Sequence, residues 1–372
     1  MRVAPLNDDL EGETLARAIC TATGQLLVGE GVVLTRSLIR RLRERGFTRV
    51  AVRDPLFEGV EVDDAVCEET RTMAARAVHS VLERVTRGEE PEGGRVAEVV
   101  RAVMWELRQS PRVVLSLSAL RSHDQYTCVH SVNVCILAGV LGIALDLSDE
   151  ELADVGLGAI LHDLGKIRVS AETLAKPGPL AEAEWGQVRA HPMEGYLLMI
   201  RKVGASYLAA HAALDHHERM DGSGYPRGLA GREITLIGRM VAVADVFDAM
   251  TSDRVYRERV PPHLCLAHLR EQAGRLYDAS LVMRFCDRIA PYPVGSLVRL
   301  STGELAAVVA CQAGHPSAPR VRVVSDPELR PVAPREIDLA SAPGITVTEV
   351  LDDYPPPFRR RLLRSQGCPA SP

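Results

Sequence analysis

Seven of the eleven histidines fall between His123 and His217, about a quarter of the 372-residue chain, where an even spread would put about three. The stretches around them are apolar with helical spacing, so imidazoles and carboxylates project from helices that otherwise face a core. Buried polar groups in such number require partners. For one such histidine, a hydrogen-bonded core residue would be the ordinary reading. For the set, a shared metal centre is the better one, because a divalent ion satisfies several imidazoles and carboxylates at once.

The central segment is LHDLGK, residues 161–166, in which His162 and Asp163 are adjacent. Imidazole suits iron, zinc and manganese; carboxylate suits manganese and magnesium and can bridge two ions. On a helix adjacent side chains diverge by about 100 degrees, so this pair would reach two ions only if they sat between its members. His130 precedes it in HDQYTCVHSVNV, and His191 follows in HPMEGY. The doublet His216–His217 stands in DHHERMDGSGYP, and Asp245 in AVADVFDAM. Asp248, three residues on, is expected to support a ligand. Lys166 lies one helical turn after His162, within reach of an anion held at the same centre. Only Lys166, Lys176 and Lys202 are lysines among 44 basic residues, so a lysine retained at 166 points to a specific role. Glu218 and Arg219 read as a local pair with no assigned role, and Lys176 reads equally as a solvated loop lysine or as a pocket residue.

The pattern predicts a mainly α protein with two small additions. Residues 1–62 read as an α+β unit. Leu26–Val28 and Val32–Leu34 form a hairpin around Gly29-Glu30-Gly31, Thr35 caps a helix that ends near Gly46, and Arg49–Val52 is a strand. Residues 63–112 read as a helical connector broken at Gly88–Gly94, and 113–290 as a helical bundle holding the chemistry. Residues 291–354 switch to period two and predict a small β-rich unit with strands at Leu297–Leu300, Ala306–Ala310 and Val321–Val324. Residues 355–372 read as a frayed tail.

Net charge is −5, which gives no global footprint for nucleic acid. The longest nearly uncharged apolar stretch, Val132 to Leu145, is too short for a membrane span. MRVAPLNDDL has no basic-then-apolar leader pattern, so the expected location is the cytoplasm. The eight cysteines include no CxxC pair and read as reduced.

HDQYTCVHSVNV, GAILHDLGK, LAKPGPL, HPMEGY, HHERMDGSGYP and DVFDAMTSDRVYR, in this order and spacing, resemble an HD-GYP domain, a branch of the HD phosphohydrolase superfamily. The resemblance implies an HD-type helical bundle with a binuclear metal centre and hydrolysis of the bacterial second messenger cyclic di-GMP to pGpG, with GMP as a further product. Carried over by position, His130, His162, Asp163 and Asp245 would hold one metal. Asp163, His191, His216 and His217 would hold the second, with Asp163 bridging. Lys166 would contact the scissile phosphate, and Arg254 and Arg257 would grip the substrate. Asp124 would protonate the leaving oxygen. Gly224-Tyr225-Pro226 would shape the substrate side of the site. Tyr126 stands where some members carry a glutamate that helps hold a third metal, which favours two ions. Iron or manganese is expected, with zinc, nickel and magnesium as alternatives. A homodimer through residues 63–112 and signalling partners are further expectations. Besides the phosphodiesterase, two readings stay open: a non-enzymatic cyclic-dinucleotide sensor or interaction protein, and a phosphohydrolase acting on another nucleotide.

Overall fold

The computed structural model describes residues 1–21, 24–60, 64–109, 126–176, 178–252, 259–312 and 314–365. In the N-terminal unit, β1 (Arg2–Pro5) pairs antiparallel with β4 (Arg49–Val52), and β2 (Ile19–Cys20) with β3 (Leu26–Val28). The expected hairpin between Leu26–Val28 and Val32–Leu34 is not formed. Leu26–Val28 turns to Ile19–Cys20, and Val33 instead makes an isolated bridge with Thr14. The helix α1 (Arg36–Glu44) is capped as its sequence predicts: the Thr35 hydroxyl accepts from the Leu38 N–H, and Gly46 ends it at φ 80°.

The bundle follows as α2 (Glu68–Thr86), α3 (Gly93–Gln109), α4 (Tyr126–Ala144), α5 (Asp149–Ile160), α6 (Ala171–Ala175), α7 (Glu182–Leu198), α8 (Tyr207–Asp215), α9 (Leu236–Thr251), α10 (Pro262–Glu271) and α11 (Ala279–Cys286). Residues of α2 and α3, among them Val78, Val81, Val100 and Val103, bury in the same apolar core as α4, α5 and α9. The central helix α4 is more apolar than the sequence reading allowed. Thr127–Ala144 is long and apolar enough to cross a membrane by length and composition, with mean hydropathy 1.8, but 78% of it is buried inside the protein. Its apolar surface is thereby accounted for by contact with other helices.

The last unit is a five-stranded antiparallel sheet in the order β8-β7-β6-β5-β9. Its strands are β5 (Leu297–Leu300), β6 (Leu305–Ala310), β7 (Arg320–Ser325), β8 (Pro331–Asp338) and β9 (Val347–Leu351). Residues 355–372 do not simply fray: Pro356–Ser365 forms α12, and Phe358 is fully buried against Leu297, Leu305, Val324 and Tyr354. The anchor is tertiary, which is why the polar sequence RRRLLRS concealed it.

A buried ion cluster joins the first and last units. Arg2, only 3% exposed, donates to Asp54 at 2.8 Å and to Asp353, and its guanidinium lies 4.6 Å over the Tyr354 ring. The Tyr354 hydroxyl donates to the same Asp54 oxygen at 2.8 Å. Arg2→Ala would leave the buried Asp54 carboxylate without its cation, while Asp353 keeps Arg359 at 3.4 Å, a change that costs about 3–5 kcal/mol where a buried pair is broken. Urea unfolding of the full chain is expected to show that loss. Arg2→Lys should recover little of it, because an ammonium cannot span both carboxylates as a planar fork does.

Candidate metal centre

Five structural segments converge on one buried cluster. His130 comes from α4, His191 from α7 and Asp245 from α9. His216 caps α8, with His217 next to it. His162 and Asp163 do not lie on a helix, as their spacing suggested. They occupy the turn between the end of α5 and a 3-10 helix at Leu164–Arg168. In that turn the adjacent side chains both face the centre, whereas on a regular helix they would diverge by about 100 degrees. Gly165 makes the placement sterically feasible. A Cβ there would overlap the His191 carbonyl oxygen and approach the Gly195 nitrogen at 2.5 Å, so the turn seats directly on α7 only without a side chain.

The structure brings all seven expected ligands together. His130 Nε2 lies 3.2 Å from Asp245 Oδ1 and 3.8 Å from Asp163 Oδ2, and His162 Nε2 lies 3.4 Å from the same Asp163 oxygen. The other Asp163 oxygen, Oδ1, is 3.4 Å from His191 Nε2 and 3.8 Å from His216 Nε2. One carboxylate thus presents an oxygen to each of two groups. Ligand atoms of His130, His162 and Asp245 lie within 4.8 Å of one another, as do those of His191, His216 and His217, and those of His162, Asp163 and His216.

The imidazoles are aimed by their other nitrogen. His162 Nδ1 is 2.7 Å from the Ala159 carbonyl, His191 Nδ1 is 2.6 Å from that of Val188, and His216 Nδ1 is 2.8 Å from that of Ala213. His130 Nδ1 meets Asp248 Oδ2 at 2.8 Å, and Asp248 is itself held by Asn133 at 2.8 Å. A carbonyl or carboxylate at Nδ1 orients the ring with Nε2 toward the centre, and in the neutral ring it selects the tautomer whose Nε2 carries the lone pair. Asp248 therefore has the supporting position expected of it.

Two buried atoms test whether a metal fits. His162 Nε2 and Asp163 Oδ1 have no hydrogen-bond partner, which is costly for buried acceptors and is what a cation between them would relieve. Burial pushes His217 down to about 3, and pushes His191 and His216 down as well, so these imidazoles keep their lone pairs. Burial acts in the same sense on His130, but Asp245 and Asp248 outweigh it and hold the ring up to about 9. Burial would raise Asp163, yet Lys166 and His162 keep it well below the usual carboxylate range. Asp245, buried beside His130, is likewise held low. The donor set is that of a site for divalent iron, manganese or zinc.

Lys166 extends from the 3-10 helix, with Nζ 2.5 Å from Asp163 Oδ2, and its side chain is 34% exposed. Tyr225 stacks on His217 with ring centroids 4.7 Å apart at 29°. A Cβ on Gly224 would reach the Glu218 Cα at 2.5 Å, and Pro226 is half-buried. The expected pairing of Glu218 with Arg219 is replaced by other partners. The Glu218 carboxylate accepts from the backbone N–H groups of Arg227 at 2.8 Å and Leu229 at 3.0 Å. Arg219 instead donates to the carbonyls of His216 and Glu218 and lies over Tyr277. Lys176 pairs with Glu184 at 2.6 Å. Asp124, Arg254 and Arg257 lie outside the described residues, as does the side chain of Tyr126.

Comparison with known proteins agrees with this architecture. Residues 110–281 match the model of the HD domain, and residues 297–354 that of a KOW domain associated with the HD domain. A cyclic di-GMP phosphodiesterase of Pseudomonas aeruginosa is 36% identical over 270 residues, which cover 72% of this chain and 65% of that protein. The cyclic di-GMP phosphodiesterase response regulator RpfG of Xanthomonas campestris is 41% identical over 184 residues, 49% of each protein. A 3'3'-cGAMP-specific phosphodiesterase of Vibrio cholerae is 40% identical over 153 residues, 41% of this chain and 33% of that one. The chain therefore spans less than two thirds of the length of these relatives. The helical bundle that carries the histidine–aspartate cluster is therefore a domain of the HD family.

Proposed function

We propose that the chain is a metal-dependent phosphodiesterase that opens cyclic di-GMP to pGpG and can carry it on to GMP. The observation that carries this reading is Asp163, whose two oxygens face separate histidine groups while one of them lacks any hydrogen-bond partner. His130, His162, Asp163 and Asp245 would hold one divalent ion, and Asp163, His191, His216 and His217 a second, with iron or manganese the preferred metals. Such ions would supply Lewis acidity toward the phosphodiester and acidify an attacking water. Lys166, partly exposed beside Asp163, is placed to offer its ammonium to a phosphoryl oxygen as charge develops. Arg254 and Arg257 are assigned the distal phosphate and guanine, and Asp124 the proton that the leaving 3'-oxygen takes up as the P–O bond breaks. Gly224, Tyr225 and Pro226 are assigned the shaping of the substrate side of the site. A cytoplasmic setting accords with the seven described cysteines, all free.

The relative that acts on 3'3'-cGAMP makes a different cyclic dinucleotide the second reading. Metal-free chain is expected to be inactive, and iron or manganese to restore cleavage of cyclic di-GMP ahead of cGAMP. Product chromatography after chelation and reloading decides it, and cyclic di-GMP left intact over hours by the loaded protein would sink the proposal.

Asp163→Ala is expected to lower metal content more than loss of any other single ligand, since both ions lose a contact. Elemental analysis across the seven alanine variants measures this; a variant at His191 that loses more would reverse the assignment. A homodimer through residues 63–112 belongs to the same reading, supported by Trp105, which is 65% exposed on α3. Light scattering of the full chain should give a dimer that Trp105→Glu weakens, and an unchanged dimer would place the interface elsewhere.

A further inference from the structure

His217 differs from the other four histidines of the cluster. Each of those has its Nδ1 held by a helix carbonyl or by Asp248. Among the described residues no hydrogen bond reaches the His217 ring. Its neighbours are rings: His216 at 4.0 Å, His191 at 5.0 Å, and Tyr225 stacked on it at 4.7 Å. His191 and His216 are already aimed by their carbonyls, so among these ring contacts of the described residues Tyr225 is the one that offers His217 a stacked face.

That face is itself held in place. The Tyr225 N–H donates to the His217 carbonyl at 3.2 Å, and Gly224 packs so closely on residues 217–219 that a side chain there would collide with backbone. The far limb of the loop is tied by Glu218, 2% exposed, through its bonds from Arg227 and Leu229. Asp215, fully buried, accepts from the Arg227 guanidinium and, at 2.7 Å, from the Thr235 hydroxyl. The loop therefore closes back on the very residues that present His216 and His217.

We propose that Tyr225 is the positioning residue for His217, its ring replacing the Nδ1 hydrogen bond that aims the other histidines, and that Glu218 holds the loop that delivers it. The inference rests on the reading of this cluster as a metal centre. It assigns Tyr225 a role toward the His191–His216–His217 group that does not depend on its hydroxyl or on contact with substrate.

The test is titration of the metal-free full chain with Mn2+ and Co2+ against a chelating dye, with the Co2+ absorption spectrum as a second readout. His217→Ala identifies the binding step that belongs to this group. Tyr225→Leu keeps bulk but removes the flat face, and should weaken that step about 10-fold or more, as loss of a ligand's orienting partner does. It should leave the other step in place and alter the Co2+ spectrum. Tyr225→Phe should restore both affinity and spectrum. Glu218→Ala should weaken the same step, and the Tyr225→Leu/Glu218→Ala double variant should fall short of the summed effects, because both act through one contact. A Tyr225→Leu chain that binds like the parent overturns the inference, as does a Tyr225→Phe chain as weak as Tyr225→Leu. Absence of any His217-dependent step in the parent would instead overturn the metal reading beneath it.

Discussion

The arrangement of the bundle turns on a single electrostatic problem. His130, His162, Asp163, His191, His216 and Asp245 are all buried, and their functional atoms converge. A hydrophobic core gains nothing from such groups, and a buried acceptor without a partner is penalised by roughly 1–3 kcal/mol. The fold limits the penalty on one side of each ring by giving Nδ1 to a carbonyl or to Asp248. On the other side it leaves His162 Nε2 and Asp163 Oδ1 without hydrogen bonds. The cluster is thus complete toward the protein and incomplete toward its own centre, which is the condition a divalent cation meets.

Convergence of this kind requires helices to approach more closely than ordinary side chains allow. Gly165 lets the turn after α5 sit on α7. Gly158 packs against Ala212 and the Ala209 carbonyl of α8, and Gly156 against Val100 and Met104 of α3. These contacts set α5 between α3 and α8 and fix where the His162–Asp163 turn emerges. A methyl group at Gly165 would separate Asp163 from His191 before it disturbed the apolar core, so close packing here serves the site as well as stability.

Much of this was legible in the sequence because the ligands carry their own signal: polar residues in apolar helical stretches, repeated in order. Thr35, Gly46, Arg49–Val52 and the strands at 297–300, 306–310 and 321–324 were legible for the same local reasons, capping and periodicity. What escaped was set by distant partners. The pairing of Leu26–Val28 with Ile19–Cys20 depends on a fold-back that a glycine-flanked run does not specify. The helix Pro356–Ser365 is held by Phe358 in a pocket made by three strands and Tyr354. β8 is largely exposed and so shows no apolar alternation. Glu218 looked like half of a local ion pair with Arg219, yet its carboxylate accepts from backbone N–H groups nine and eleven residues further on. No local pattern distinguishes those two fates for a glutamate.

The two small units illustrate the same distinction on a larger scale. Arg2 and Asp54 are nearly inaccessible, at 3% and 6%, and are joined by Asp353 and Tyr354 from the other end of the chain. An ion pair so buried is strongly destabilising to break. Asp352, the next residue, also links separate parts, meeting Arg49 at 2.9 Å and Arg259 at 2.8 Å, but it is 66% exposed. Solvent screening leaves such surface pairs about 0–1 kcal/mol. Arg2 is therefore the buried ionic link between the N-terminal unit and the β unit, beside Leu56 packed against the Phe358 cluster and Arg322 donating to the Leu56 and Glu58 carbonyls, and Asp352 contributes direction more than strength. Because Arg259 opens the stretch that leads into α10, the Asp352 contact ties the joined units to the bundle through a weak, exchangeable pair. The joined small units are consequently bound more firmly to each other at this point than to the chain that follows α9.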